Sequence, residues 1–511
     1  MRRPSRSGLS LVFALCANIP LAGQNLESIG KEKPISLTGG ISLNQIFYSA
    51  SGIESRRDPY SYFTSGNVNL SVYGWAVPFS FNISNQNNSF SQPFNQYSLH
   101  PTYKSVTTHL GYTSMSFSPY TVNGHIFLGA GVDILPEGNW KFSALYGRFL
   151  KAVQADSLND SSQPSFERMG YGIKSTYGNG RNSIDLILFH AYDDANSLYN
   201  IPDSLDITPQ ENLVISLGIK KTLFKNFLLK TELSTSAITK DTRSEKADNA
   251  HLIARSGILF ESRLSSSFYN AFKTSFDYHH NSCIIGLAYE KIDPQYRTLG
   301  AYYFNNDLEN ITLNGSAGIL QGRLNIAGSA GTQRDNLDKS KISTMRRLVG
   351  SLNLHYMHSQ RLNFSASYSS FQTYTNIRSQ FVDINQLTPY DQLDTLNFTQ
   401  ISKNASGTAM YTLPGQENRK QNINIHVTFQ DASEEQGKVE QNSGTRFYNI
   451  HTAYSITLPP KNLSISITFN GALNQGFFIE TKVFGPNASI TRSFMNRKLR
   501  TSLSSSFNKT Y

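Results

Sequence analysis

One short pattern, in which apolar and polar residues alternate, recurs along the chain. In Arg419–Gln430 the apolar residues all fall on one parity, and they are Ile423, Ile425, Val427 and Phe429. Successive side chains of a β-strand point to opposite faces, so this stretch predicts a strand with one apolar and one polar face. Leu362–Ser369 and Leu463–Asn470 repeat the pattern. One such strand also fits a soluble sandwich, but repetition over nearly the whole chain, without helical periodicity between the strands, favours one large all-β structure.

Composition narrows the class further. The 511 residues show no linker, charge block or low-complexity seam, and only 16% are charged, against a usual share of about a quarter. Aromatic residues make up 12% of the chain, and the mean hydropathy of −0.36 excludes a helical membrane protein. An apolar lipid-facing side and a polar lumen average to such values, so the composition fits a transmembrane barrel.

Charge and cysteine content exclude other classes. The formal net charge is +10, and removal of Arg2, Arg3 and Arg6 with a signal segment would leave +7. The remaining Lys and Arg residues are scattered rather than gathered on a stripe, so no nucleic-acid partner is expected. The mild excess favours anionic solutes or lipopolysaccharide phosphates. Cys16 lies in the signal segment, which leaves Cys283 alone and excludes an intramolecular disulfide and a Cys-rich metal site.

Residues 1–23 have the organisation of a secretory signal peptide. A basic start precedes an apolar run from Leu9 to Leu21, which is too short to span a bilayer as a helix. Small residues then predict cleavage between Gly23 and Gln24; a buried N-terminal helix is the weaker alternative. Residues 24–34 are predicted to be a short periplasmic segment, too small for a plug domain, and residues 35–511 are predicted to form an antiparallel up-and-down transmembrane β-barrel.

Short and long connections alternate between the predicted strands. Outer-membrane barrels do the same, with tight periplasmic turns and long external loops. Strict alternation holds if Phe94–His100 is a strand of its own and Pro101-Thr102 is a periplasmic turn, which gives roughly 24–26 strands. The predicted tight turns are Gly138-Asn139, Asn179-Gly180, Lys225-Asn226, Gln321-Gly322, Ser359-Gln360 and Pro459–Asn462. The predicted long loops are Asp193–Glu211, Thr239–Asn249, Gln333–Thr344, Asn376–Gln400 and Asp431–Gly444.

The last predicted strand ends on an aromatic residue, with Leu503, Phe507 and Tyr511 on one parity. With the signal segment and the amphipathic strands, this makes the chain resemble large outer-membrane β-barrel proteins of Gram-negative bacteria. The Ala-Gly end of the signal and the richness in Asn, Ser and Tyr are most similar to barrels from Bacteroidota. The resemblance implies a place in the outer membrane, contact with lipid and lipopolysaccharide, and recognition by the barrel-insertion machinery. It carries no catalytic motif.

Three places in the sequence are candidate sites. His279-His280 beside Asp277 is a possible catalytic cluster, but successive strand residues face opposite ways, and a turn before Asn281-Ser282 is the better interpretation. The pair Asp193-Asp194 lacks the converging oxygens that a metal ion needs. The aromatic stretch Tyr296–Asp307 is either a lumen constriction or a girdle strand. No catalytic residue, cofactor or metal ligand is therefore predicted, and phosphate-loop, nucleophile-elbow and zinc patterns are lacking.

The pattern predicts location better than activity. A large barrel encloses more space than side chains fill, so the first hypothesis is passage or export of solutes through the lumen. The alternative is a structural or assembly component of an outer-membrane secretion or surface-display complex, with partners from that complex. An outer-membrane enzyme is the least favoured hypothesis.

Overall fold

The computed structural model describes residues 35–49, 58–85, 95–155, 164–199, 207–247, 259–340, 346–370, 401–415, 418–436, 439–476, 480–495 and 499–511. The chain divides into two compact units. The first comprises Met1–Met115, Ile126–Met169 and Asn196–Ile207, and the second comprises Ser116–His125, Gly170–Ala195 and Thr208–Tyr511. The signal peptide and the boundary between Gly23 and Gln24 lie outside the described residues and stay predictions.

The described residues form 25 strands and a short 3-10 helix, Pro459–Lys461. The first strands are β1 Ile35–Phe47, β2 Tyr60–Val72, β3 Trp75–Ser84, β4 Gln96–Leu99, β5 Thr102–Tyr103, β6 Val106–Ser116, β7 Asn123–Ile134 and β8 Trp140–Leu150. The next are β9 Glu167–Gly178, β10 Ser183–Asp194, β11 Glu211–Leu223, β12 Phe227–Thr239, β13 Ser266–His280, β14 Cys283–Ile292, β15 Leu308–Ile319, β16 Leu324–Arg334 and β17 Arg346–Met357. The last are β18 Leu362–Ser369, β19 Ile401–Thr412, β20 Lys420–Gln436, β21 Val439–Leu458, β22 Leu463–Gln475, β23 Glu480–Phe494, β24 Leu499–Ser506 and β25 Lys509–Thr510.

The architecture is all-β and antiparallel, and strands that are consecutive in the chain pair with one another. From β10 to β24 each strand pairs with the next, as do β1 with β2 and β2 with β3. The prediction of an up-and-down antiparallel fold with roughly 24–26 strands is confirmed. No helix in the described part of the chain is long and apolar enough to cross a membrane.

Strand β20 contains the alternating stretch Arg419–Gln430 except for its first residue. Ile425 stands opposite Ala409 of β19 and Thr452 of β21, and Val427 stands opposite Gly407 and Ile450. Pairing residues of like parity keeps the apolar side chains on one face of three neighbouring strands, because a register slip of one residue would exchange the faces.

All six predicted tight turns fall between strands that pair as hairpins. Several depend on left-handed backbone, which short turns need: Lys225, Gln321 and Asn462 have φ values of 65°, 57° and 48°. The turn between β13 and β14 is Asn281-Ser282 itself, whereas His279 and His280, predicted to mark a turn before it, are the last residues of β13. Within each unit, the short connections alternate along the chain with longer ones.

The predicted turn at Pro101-Thr102 is wrong. Thr102 belongs to β5 and pairs with Ala76 of β3 on one side and with Thr107 of β6 on the other. The hairpin instead turns at Lys104-Ser105, where Lys104 takes a φ of 53°. Proline lacks an N–H but still offers a carbonyl, and Pro101 accepts a hydrogen bond from the Thr108 N–H at 2.9 Å. The chain therefore keeps its pairing with β3 and β6 on both sides of Pro101, in β4 and in β5. The separate strand predicted at Phe94–His100 is found as β4.

The predicted loop at Asp431–Gly444 is also wrong. Strands β20 and β21 continue through it, leaving only residues 437–438 between them, with a register shift between Ala432 and Glu434. Its charged and amide residues suggested solvent-exposed loop, but backbone pairing in a hairpin does not depend on polarity. Long connections are found at 195–210, 240–265 and 335–345, as predicted, whereas Asn376–Gln400 lies outside the described residues.

Candidate functional site

The second unit has two chemically different sheet faces. One row of side chains on the first face runs Glu232, Lys273, Glu290 and Asn310 across β12 to β15, each directly opposite the next. Lys273 Nζ lies 3.6 Å from Glu290, and on the same face Lys230 Nζ lies 3.2 Å from Asp277. Charges of both signs thus share this face, which we call the charged face.

The opposite face of the same strands exposes large aliphatic side chains, and we call it the apolar face. Leu233, Leu287 and Leu313 are 48%, 56% and 58% exposed. The described part of the chain leaves about half of each of these side chains uncovered, although burial of apolar surface is the main stabilising force in water. A sheet that gathers charges on one face and exposes leucine on the other is arranged for an apolar surrounding on the leucine face.

The same sorting continues toward the C-terminus with hydroxyl and amide groups in place of charges. Pairs of side chains on facing strands are hydrogen-bonded on the polar side. These pairs are Ser329–Ser351 at 2.9 Å, Ser367–Ser406 at 2.7 Å, Thr408–His426 at 2.8 Å, Ser466–Ser489 at 2.7 Å and Thr491–Ser502 at 3.0 Å. His426, predicted to face away from Ile425, is therefore one of a series of hydrogen-bonded polar residues on this side of the sheet.

Two connections pack against the charged face, and we call them the inward segments: residues 117–122, between β6 and β7, and residues 293–307, between β14 and β15. The Tyr296 hydroxyl donates to the Tyr120 carbonyl at 2.8 Å, and the Thr298 hydroxyl donates to the Thr121 carbonyl at 2.7 Å. The Asn123 N–H donates to the Gly300 carbonyl at 3.0 Å. Two hydrogen bonds therefore join the two segments directly, and a third joins the second segment to Asn123, the first residue of β7.

The second inward segment is also fixed to the sheet. The Leu299 N–H donates to Asn212 Oδ1 at 3.0 Å, and the Ser236 hydroxyl donates to the Arg297 carbonyl at 2.6 Å. Asn212 is fully buried and donates to both Ser236 and Ala237. At Gly300 a Cβ atom would stand 2.7 Å from the Thr121 carbonyl oxygen and 2.9 Å from the Phe189 ring, so only glycine allows this approach.

Apolar packing holds the same assembly. Tyr120 and Tyr296 form a buried cluster with Ala271, Ile292 and Leu308, and their rings meet edge to face at 6.4 Å between centroids. Burial raises the pKa of both phenols, and the nearby negative charge of Glu290 raises the pKa of Tyr120 further. Both side chains therefore remain neutral hydrogen-bond donors over the physiological range.

The inward segments end at the charged row. The Tyr120 hydroxyl donates to Glu290 Oε1, and Asn310 Nδ2 donates to Glu290 Oε2 at 3.2 Å. Beside this carboxylate opens a cavity of about 210 Å³. Polar residues of the charged face line it, among them Lys273, Glu290, Asn310, Asn314, Ser329 and Ser351. A small polar solute there would meet donors and acceptors on several strands.

The first unit has a separate polar chain across β4 to β8. The Ser143 hydroxyl donates to Asp133, whose second oxygen lies 2.9 Å from His109 Nε2. His109 Nδ1 lies 3.0 Å from His100 Nδ1. Each buried polar group thus finds a partner on a neighbouring strand. The serine bonds to the aspartate rather than to a histidine, so this chain lacks the order of a Ser-His-Asp nucleophile.

The structure does not unite the predicted candidates. His279 and His280 end β13 opposite Ile284 and Cys283 and face different sides, while Asp277 is paired with Lys230. Asp193 accepts the Gln210 N–H at 2.9 Å and closes the base of a long connection. The described residues contain no group of three or more His, Cys, Asp or Glu arranged to hold a metal ion.

The stretch Tyr296–Asp307 is not a girdle strand: it precedes β15 and forms most of the second inward segment. Sequence reasoning missed the first inward segment, residues 117–122, and it missed Asn212, which anchors the second inward segment. The only local signal for the former was Ser118-Pro119, which breaks a strand pattern.

Comparisons with known proteins add a distant likeness. No family model and no curated protein match the sequence. Similar solved structures include the P pilus usher (PapC) translocation pore, with 9% identity, a TM-score of 0.40, and coverage of 93% of this chain and 98% of that one. The outer membrane protein OprD from Pseudomonas aeruginosa has 8% identity and a TM-score of 0.36, with coverage of 81% of this chain and 91% of that one. OccK8 (OprE) from the same organism has 12% identity and a TM-score of 0.35, with coverage of 66% of this chain and 94% of that one. With TM-scores below 0.5, these likenesses carry no argument about function, which must come from the chain's own residues.

Proposed function

We propose that the strands close into a barrel in the bacterial outer membrane, with the apolar face toward lipid and the charged face toward the lumen. The sorting of side chains described above carries this proposal. In lipid every backbone group needs an internal partner, and a closed antiparallel sheet supplies one to each. The Gram-negative source, the likeness to Bacteroidota barrels and the removal of residues 1–23 are part of the same proposal. So is recognition of the last strand, which ends at Tyr511, by the insertion machinery.

The proposed activity is passage of small polar solutes through the lumen. The inward segments lie on the charged face and would narrow that lumen, and the row of Glu232, Lys273 and Glu290 beneath them offers charges of both signs. Such a row favours neutral polar or zwitterionic solutes, because an ion of either sign meets at least one charge of its own sign that repels it. No catalytic step is proposed.

Conductance in planar bilayers tests this function. Residues 295–303 are replaced by a short Gly-Ser link, which removes the part of the second inward segment that binds Asn212 and Thr121. The expected result is a measurable unit conductance in the wild type and a clearly larger one in the variant. Shortening the exposed connection at Lys339-Ser340, whose hydrogen bonds go to Asn336 and Asp338 of the same connection, is the matched control and leaves conductance unchanged. Absence of conductance from both the wild type and the variant that lacks residues 295–303 would refute the channel.

The long hairpin favours the second candidate function, a structural or assembly role in a secretion or surface-display complex. Strands β20 and β21 have 17 and 20 residues, and the other strands have 15 or fewer. They extend past their neighbours at the end where the long connections lie, which would give a partner an extended edge for strand pairing. Deletion of residues 433–443 should abolish co-purification of a partner while conductance is retained. Retained co-purification counts against this candidate.

A further inference from the structure

One row of the apolar face is charged. At the long-connection ends of β14 to β17, Lys291, Glu309, Arg334 and Arg346 stand directly opposite one another in sequence. They share the face of Leu287 and Leu313, whose rows lie nearer the middle of the strands. The row carries three positive charges and one negative charge, so it is positive overall.

The single carboxylate of this row is already engaged. Glu309 accepts hydrogen bonds from Arg334 and, at 2.8 Å, from the Tyr289 hydroxyl. Arg346 stands opposite Arg334 and has no ion-pair partner among the described residues. Like charges directly opposite one another destabilise a strand pair. The arrangement therefore favours an anion between the two guanidinium groups.

The space beside these arginines fits a lipid better than a free ion. A groove of about 670 Å³ is lined by Glu309, Arg334 and Arg346 at one end and by Ile311 and Leu348 at the other. Ile311 and Leu348 occupy the next row toward the middle of the strands and are 49% and 79% exposed. A groove with arginines at one end and aliphatic side chains at the other matches an amphiphile that bears a phosphate.

We propose that this groove binds the phosphate headgroup of a phosphorylated lipid, with the acyl chains on the aliphatic rows below. The inference rests on the proposed function only in that the apolar face must meet lipid. In that setting the row lies at the headgroup level of the leaflet beside the long connections, and the lipid lowers the repulsion between Arg334 and Arg346.

Binding of fluorescent lipid A to the detergent-solubilised full chain tests the proposal, with dephosphorylated lipid A and inorganic phosphate as the comparison probes. We expect R334Q/R346Q to weaken lipid A binding by tenfold or more, because two charge-assisted contacts are lost. R346Q alone, which keeps the contact between Arg334 and Glu309, should weaken it severalfold. The matched control is K482Q, since Lys482 lies on the same face at the same end of β23 but is paired with Glu480 at 2.7 Å.

Unchanged binding by R346Q and the double variant would overturn the site. Equal binding of dephosphorylated lipid would overturn the phosphate assignment, and full competition by millimolar inorganic phosphate would overturn the choice of lipid over free phosphate. Folding of each variant is checked by circular dichroism, and R346Q serves if the double variant fails to fold. Conductance is measured in parallel. Selective lipid binding without conductance would refute the channel and keep the lipid site, whereas conductance without selective lipid binding would refute the lipid site and keep the channel.

Discussion

Arginine placed at two successive positions of β20 tests the assignment of faces. Ile425 is 40% exposed on the apolar face, and His426 faces the other way. Ile425 lies five residues from the start of β20. At about 3.3 Å per residue and a tilt of about 45°, that is about 12 Å from the short-connection end, near the middle of an apolar band about 25 Å tall.

The depth of residue 425 in the bilayer sets the expected loss in the free energy of unfolding. An arginine facing lipid at the midplane costs about 2–4 kcal/mol, so I425R should lower the free energy of unfolding by that amount. H426R loses the hydrogen bond between His426 and Thr408, at 2.8 Å, which is worth about 1 kcal/mol, and its guanidinium meets water in the lumen. The two variants should therefore differ by about 1–3 kcal/mol.

Urea titration of folding into lipid vesicles measures the difference. I425L is the control for a change of shape without charge and should cost less than about 1.5 kcal/mol. Equal losses for I425R and H426R would refute the face assignment, and a larger loss for H426R would reverse it. If both arginine variants fold as well as the wild type in detergent but differ in vesicles, the lipid surrounding is the cause.

Three other measurements test orientation, burial and processing. A tag inserted after Lys339 should be labelled on intact cells, and one after Gly180 only after permeabilisation; the opposite result would invert the topology. Burial raises the pKa of Tyr296, so its stabilising contribution is complete below pH 10 and is lost only as the pH rises through the raised value. Tyr296→Phe should thus leave phenolate absorbance unchanged between about pH 10 and pH 12 in the folded protein, and a smaller signal would show a titrating phenol. N-terminal sequencing of outer-membrane material should begin at Gln24, and a start at Met1 would contradict signal cleavage.

The strands and tight turns were predictable because their signals are local. A period of two is imposed by backbone geometry, and the residues between two strands show whether a tight turn is possible. Lys225-Asn226 and Gln321-Gly322 therefore identify hairpins without any knowledge of the rest of the chain. The same local reasoning failed at Pro101, where proline suggested a break, and at Glu434–Gln436, where polarity suggested a loop. In both places hydrogen bonds to the neighbouring strand decide the structure.

The inward segments were not predictable from local signals, because their contact partners are distant in the sequence. Tyr120 meets Glu290 across 170 positions, and Asn212 meets the Leu299 N–H across 87. No period or spacing encodes such contacts: they exist only after the strands have brought the two connections onto one face. Asn212 shows the difference well, because its place in β11 follows from alternation, whereas its role depends on a backbone N–H that no local pattern supplies. Sequence reasoning therefore predicts the sheet with its two faces, and the structure is needed to show which connections pack against it.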